Sequence, residues 1–172
     1  MAEQLTFPLP AHVRLGAEDF FVSPANAAAF EMVTGPAPWP AGKLALIGPE
    51  GAGKTHLAGI WARATGGRIL SAPALTGALV PPRAGARIVI EDADRLPAAA
   101  EESVFHLHNR LAATGGRLLL TGRTAPAHWP VALPDLASRL QAASVIRIGD
   151  PDDDLLAAVR MKLFADRQIA PA

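Results

Sequence analysis

The stretch "ALIGPEGAGKTHL" ends an aliphatic run and opens a helical pattern, and Gly48, Gly53, Lys54 and Thr55 in it meet the spacing G-x-x-x-x-G-K-[ST]. This is the residue set of a phosphate loop. Glycines at 48, 51 and 53 let the backbone curl so that successive N–H groups face phosphate oxygens, and the helix that follows adds its positive N-terminal end. Lys54 is then expected to reach the β- and γ-phosphates and Thr55 to ligate Mg²⁺, with Glu50, Ala52 and His56 as further nucleotide-binding positions.

A phosphate loop needs a carboxylate at the tip of a neighbouring strand to complete the magnesium shell, and "RIVIEDAD" supplies Glu91 for the metal side and Asp92 to orient water. Asp94 lies further into the turn and ranks behind them. A second strand, in "RLLLTGRTAPAHWP", ends at Thr121, whose hydroxyl either positions an attacking water or simply caps the strand. "LPDLASRL" places Arg139 on a short helix far in sequence from the loop. Spacing alone favours a solvated helix face for it, with a finger on a neighbouring subunit's nucleotide as the alternative.

These residues need a scaffold, and the hydrophobic pattern describes one. Short aliphatic runs "KLALIG", "RILSA", "ARIVIED", "GRLLLTG" and "SVIRIGD" alternate with helical patterns over Lys54 to Ala64, Glu101 to Ala113 and Leu133 to Leu140. The expected class is α/β, with a five-stranded parallel sheet covered on both faces. An earlier helix is expected from Pro24 to Val33, with Ser23 as N-cap and Pro24 at its first position. The last segment predicts a helix with Asp150 as N-cap, Pro151 at its first position and three aspartates in its first turn. The organisation expected is a tail over 1–12, an α/β nucleotide-binding domain over 13–149, and the first helix of an incomplete lid over 150–172.

Composition narrows the partners. The 172 residues carry 16 basic and 16 acidic side chains, so no net field draws the chain to nucleic acid or to an anionic membrane. The absence of cysteine rules out disulfides and thiolate metal sites, and no apolar run is long enough to span a bilayer. A cytoplasmic protein that meets DNA only indirectly is the expectation. The tail "EQLTFPLPA" adds Leu5, Phe7 and Leu9 broken by Pro8 and Pro10, which reads as an extended peptide made for a groove.

Taken together the motifs resemble the DnaA-related AAA+ family, and within it the Hda regulators that inactivate the replication initiator. "GKTHL" at Gly53 to Leu57, the acids Glu91 and Asp92, and "LPDLASRL" at Leu133 to Leu140 look like that family's phosphate loop, Walker B strand and arginine-finger segment. "DFFVSPANAAA" is similar to its opening segment, and the resemblance implies that Phe21, Val22 and Asn26 lie near the adenine. It also implies an AAA+ strand order, a finger role for Arg139, ADP or ATP with Mg²⁺ as cofactor, and DnaA as partner. Such regulators carry an N-terminal Q-L-x-L-P-L peptide for the DNA polymerase sliding clamp, which Gln4, Leu5, Phe7, Pro8 and Leu9 match with phenylalanine in place of one leucine.

Three departures from the family pattern stand out. Glu91 occupies the usual aspartate position, Gly122 and Arg123 follow Thr121 where a polar and acidic pair is usual, and only the first helix of the lid is present. They predict weak intrinsic hydrolysis, so that the subunit acts mainly by triggering its partner. The rival expectation is a self-sufficient ATPase with Asp92 as its own catalytic residue. A homodimer is compatible with either.

Overall fold

The computed structural model describes residues 20–150, 152–157, 160 and 161. The expected tail over 1–12, with Gln4, Leu5, Phe7 and Leu9, lies outside the described residues. Among the described residues nine regular elements precede a helical stretch over 153–157: α1 (Ala27–Thr34), β1 (Lys43–Ile47), α2 (Lys54–Thr65), β2 (Arg68–Ser71), β3 (Arg87–Glu91), α3 (Glu101–Ala113), β4 (Arg117–Gly122), α4 (Pro134–Gln141) and β5 (Ser144–Arg147).

All five strands pair in parallel in the order β2-β3-β4-β1-β5. The central strands are aliphatic on both faces because both faces are covered, as the uninterrupted apolar runs require. Leu44, Leu46, Val89 and Leu119 face α1 and α2, where Leu57, Trp61 and Phe30 complete one core. Ala45, Ile47, Ile88, Ile90, Leu118 and Leu120 face α3 and α4, where Val104, Leu111, Leu136 and Leu140 complete the other. Parallel strands all end at the same edge of the sheet, so the loops after β1, β3 and β4 meet there. This gathers 48–55, 91–94 and 121–123 into one place.

Two helix starts differ from the sequence reading. The first helix begins at Ala27, three residues after Pro24. Ser23 instead closes the preceding turn, its carbonyl accepting from the Asn26 and Ala27 amides and its hydroxyl from the Ala25 amide. Near the C-terminus the capping carboxylate belongs to Asp152 and not Asp150: Asp152 Oδ1 accepts from the Leu155 amide at 2.9 Å, and residues 153–157 are helical. The second oxygen of Asp152 accepts from the Ala25 amide at 3.1 Å, tying this helix start to the turn before α1. Two amide donors to one carboxylate explain why Asp152 is the cap, since an oxygen at 150 would serve neither contact.

Candidate functional site: the phosphate loop and the strand ends

The loop between β1 and α2 is shaped by three glycines for two different reasons. Gly51 and Gly53 take positive φ of 77° and 101°, open to glycine at no steric cost. Gly48 has ordinary φ, but a Cβ there would lie 2.6 Å from the Ile148 carbonyl oxygen, so its side is closed by the chain leaving β5. Ala52 is buried beneath the loop, whereas Glu50 is exposed on its outer lip.

Lys54 begins α2 and its ammonium donates to the carbonyls of Gly48 at 2.6 Å and Pro49 at 2.8 Å. Burial pushes its pKa below the usual lysine range, against the opposing pull of Asp92 and Asp94. Thr55 is exposed beside it, free to present its hydroxyl to a metal. His56 packs edge-on against Phe20, ring centroids 5.3 Å apart.

The acids stand on the neighbouring strand end. Glu91 closes β3 with Oε1 buried and unpartnered, and Asp94 Oδ1 is likewise buried without a partner. Asp92 adopts left-handed backbone angles, φ 53° and ψ 44°, a conformation that aspartate tolerates better than bulkier residues and that functional turns often store. Its amide donates to Thr121 Oγ1 at 3.0 Å, which couples the ends of β3 and β4. The Thr121 side chain is buried and thus serves the turn directly.

Beyond Thr121 the β4 end crosses to the loop. The Arg123 amide donates to Asp94 Oδ2 at 3.2 Å, and its guanidinium pairs with Glu50 at 2.9 Å. Asp94, ranked behind Glu91 and Asp92 from the sequence, links the turn after β3 to Arg123. Gly122 is obligatory for a separate reason: the Trp129 ring occupies the space a Cβ would need, with its nearest atom at 2.9 Å.

The opening segment packs beside the phosphate loop. Phe20 is buried against Phe30 and lies 3.5 Å from the position a Cβ would take at Gly53, so it packs on the phosphate loop. Phe21 and Val22 are half-buried. Asn26 spends its amide on the backbone, accepting from the Ser23 amide at 2.8 Å and donating to the Phe21 carbonyl at 2.9 Å, and so holds the Phe21–Ser23 segment in shape.

Arg139 is elsewhere. It lies exposed in the last turn of α4, its guanidinium 5.2 Å from the Phe105 ring centroid, and its carbonyl accepts from Lys43 Nζ at 3.0 Å. Lys43 begins β1 and Gly48 follows its end, a rise of about 16 Å at roughly 3.3 Å per residue. Arg139 thus sits at the opposite end of the sheet from its own phosphate loop. The residue that aims α4 is one the sequence reading passed over: Glu101, buried at the start of α3, accepts from the Ala132 and Leu133 amides at 2.9 and 2.8 Å. An acid in a helix's first turn is unremarkable in sequence, which is why it carried no signal.

The donor set fits a magnesium nucleotide. The unpartnered buried oxygens of Glu91 and Asp94 at the end of β3, with Asp92 and Asp94 acting on Lys54, are negative charge suited to a cation, while the positive-φ loop offers amides to an anion. Among the described residues no group of three or more His, Asp or Glu side chains is placed to hold a metal alone. That suits Mg²⁺, which keeps waters and takes phosphate oxygens beside one or two protein ligands.

The fold is an α/β domain on a five-stranded parallel sheet, with a phosphate-loop sequence between its first long strand and the helix that follows. Its structural likeness is to DnaA: domain III of the Thermotoga maritima replication initiation protein DnaA superposes with a TM-score of 0.65 at 19% identity, over 86% of this chain and 72% of that one. AMPPCP-bound DnaA from Aquifex aeolicus matches with a TM-score of 0.64 at 18% identity, over 91% of this chain and 56% of that one. A structure described as a DNA replication initiation factor matches with a TM-score of 0.67 at 16% identity, again over 91% and 56%. The chain thus spans just over half the length of two of these proteins. No protein-family model matches it. No helix among the described residues is long and apolar enough to cross a membrane.

Proposed function

We propose that this chain is a nucleotide-binding regulator of replication initiation of the Hda type, which stimulates ATP hydrolysis by DnaA while held on the sliding clamp. The observation that carries the reading is the separation of Arg139 from Lys54 by the length of β1. A cation so placed cannot serve its own nucleotide, and its exposure on α4 supports a role toward a neighbouring subunit's nucleotide.

Within this reading the phosphate loop, Lys54 and Thr55 would hold ADP or ATP, and Glu91 would complete the Mg²⁺ shell with Asp92 beside it. When bound, the magnesium nucleotide supplies charge neutralisation at the phosphates. This chain's residues then do the rest: the loop amides bind and orient, Thr121 holds the Asp92 turn, and Asp94 with Glu50 holds Arg123 across the loop. Bound nucleotide in the DnaA structure from Aquifex aeolicus supports a nucleotide on the same fold here. The clamp tether rests on the sequence of the tail, Gln4 to Leu9, and the finger on Arg139.

The experiment measures DnaA-bound ATP hydrolysis with clamp-loaded DNA present, together with binding of fluorescent ADP to this protein alone. Arg139→Ala is expected to cut stimulation at least about tenfold, as finger removals do in related enzymes, and to leave ADP affinity unchanged. Unchanged stimulation would return Arg139 to a solvated helix face. The rival, a self-sufficient ATPase, draws support from the unpartnered oxygens of Glu91 and Asp94, and rapid turnover without DnaA would establish it.

A further inference from the structure

Folding separates charges that cancel in the sequence. Four of the five strands begin with a cation, Lys43, Arg68, Arg87 and Arg117, so these four share the sheet edge opposite the phosphate loop. Adjacent strands lie about 4.8 Å apart, which sets the four starts in a row across roughly 14 Å. Helix C-termini add Arg63, Arg110 and Arg139 at the same end. The carboxylates Glu50, Glu91, Asp92, Asp94, Glu101 and Asp152 collect at the other end, leaving Glu31 of α1 as the nearest exception.

Helix-dipole complementarity accounts for Arg63 and Arg110 in last turns. It does not account for the strand starts. Among the described residues the only ion pairs are His106 with Glu102 and Arg123 with Glu50, so none of the cations at this end is paired with a carboxylate. They also crowd one another: Arg117, stacked 4.1 Å over the Trp39 ring, has its pKa lowered by burial and then by Arg87. Repulsion of this kind, which no carboxylate among the described residues offsets, is relieved by an external anion.

A cleft gives that anion a place. Between β2, the start of β3, α3 and the 79–87 segment runs a hollow of about 540 Å³, lined by Arg68, Arg83 and Arg87 among Leu79, Val80 and Pro81, with no carboxylate in its walls. Arg68 and Arg83 are exposed into it. Arg110 stands on its rim, its Nε directed at the Pro82 carbonyl.

We propose that this arginine cleft and the strand-start arginines beside it, Arg68, Arg87 and Arg117, bind the phosphodiester backbone of duplex DNA, Lys43 being buried with its ammonium on the Arg139 carbonyl. Arginine forks suit phosphate oxygens, and neutralising several phosphates releases counterions, which makes such binding strong at low salt and independent of base sequence. A single strand fits less well. It is held largely by bases stacking on aromatic rings, and no aromatic side chain lines the cleft, while Trp39 and Trp61 are buried beneath Arg117. The site lies at the far end of the sheet from the phosphate loop and does not depend on the nucleotide reading.

The test is fluorescence anisotropy of the full chain with a labelled 20-base-pair duplex, titrated across salt concentrations. With four phosphates neutralised, log K should fall against log salt with a slope of about −3.6. Arg68→Glu with Arg83→Glu should weaken binding at least tenfold at low salt and flatten the slope. Arg68→Lys with Arg83→Lys should keep most of it. Arg147→Glu, a single reversal at the opposite end of the sheet, should lose far less than Arg68→Glu alone, and fluorescent ADP affinity should be unchanged in the cleft variants, showing that the fold is intact. No duplex binding at low salt, equal losses from Arg147→Glu and Arg68→Glu, tighter binding of a 20-mer of thymidine, or equal competition by polyglutamate would each overturn the proposal.

Discussion

Arg123 Nη2 lies 2.9 Å from Glu50 Oε2, so the end of β4 is bridged to the outer lip of the phosphate loop by one exposed ion pair. Such a pair adds little to folding, in the range of 0 to about 1 kcal/mol. Its consequence is electrostatic. Glu50 puts a negative charge beside an anion site and occupies a cation that would otherwise face it.

Glu50→Ala should therefore tighten ADP and ATP binding, and Arg123→Ala should weaken ATP binding more than ADP binding because the third phosphate carries more charge toward β4. Neither change should move the unfolding midpoint by more than the 1 kcal/mol limit. Titration with fluorescent ADP and ATP at two salt concentrations checks this. A Glu50→Ala variant that binds more weakly would show that the pair shapes the loop instead.

His108 gives a pH dependence. It is buried in α3 with Nε2 unpartnered, near a small void beside Gly42 and Lys43, and burial followed by the Lys43 charge holds its pKa below the ordinary histidine value. Protonation then favours the unfolded chain. The stability contributed is fully present above the unfolded value of about 6.5 and is lost as pH falls toward the depressed folded value. Urea unfolding between pH 8 and pH 5 should show stability flat above about 7.5 and declining below 6.5, with a slope of up to about 1.4 kcal/mol per pH unit. His108→Leu should remove the decline. An unchanged profile in that variant would assign the effect to other groups.

The sheet was legible because its signal is redundant: five β-branched and leucine-rich runs, each bounded by glycine, proline or a charge, leave little choice of element. The phosphate loop was legible for the same reason, since strand, glycines, Lys54 and helix occur in one continuous stretch. What escaped was set by contacts between distant residues. Asp152 caps its helix in preference to Asp150 because Ala25, 127 positions away, supplies a further amide. Phe20 takes the loop contact because Phe30 stacks on it. The basic end of the sheet was invisible in a chain of zero net charge, since only parallel pairing brings the first residues of β1 to β4 side by side.

Glu101 offers a way to disturb Arg139 without touching it. Its two carboxylate oxygens accept the Ala132 and Leu133 amides just before α4, and its burial means that a truncated side chain leaves both donors without partners. Glu101→Ala should cost about 2 to 4 kcal/mol, from two amides at roughly 1 to 3 kcal/mol each with partial relief by water. Glu101→Gln keeps one acceptor oxygen and should cost less than half as much. Both are read by urea unfolding above pH 7.5, where His108 is neutral. Because α4 carries Arg139 in its last turn, Glu101→Gln should also lower stimulation of DnaA-bound ATP hydrolysis while leaving ADP affinity unchanged, since the phosphate loop packs on other strands. A Glu101→Gln protein destabilised as expected but with full stimulation would show that the position of α4 is set by Leu136 and Leu140 in the core, and that the Glu101 contacts serve stability alone.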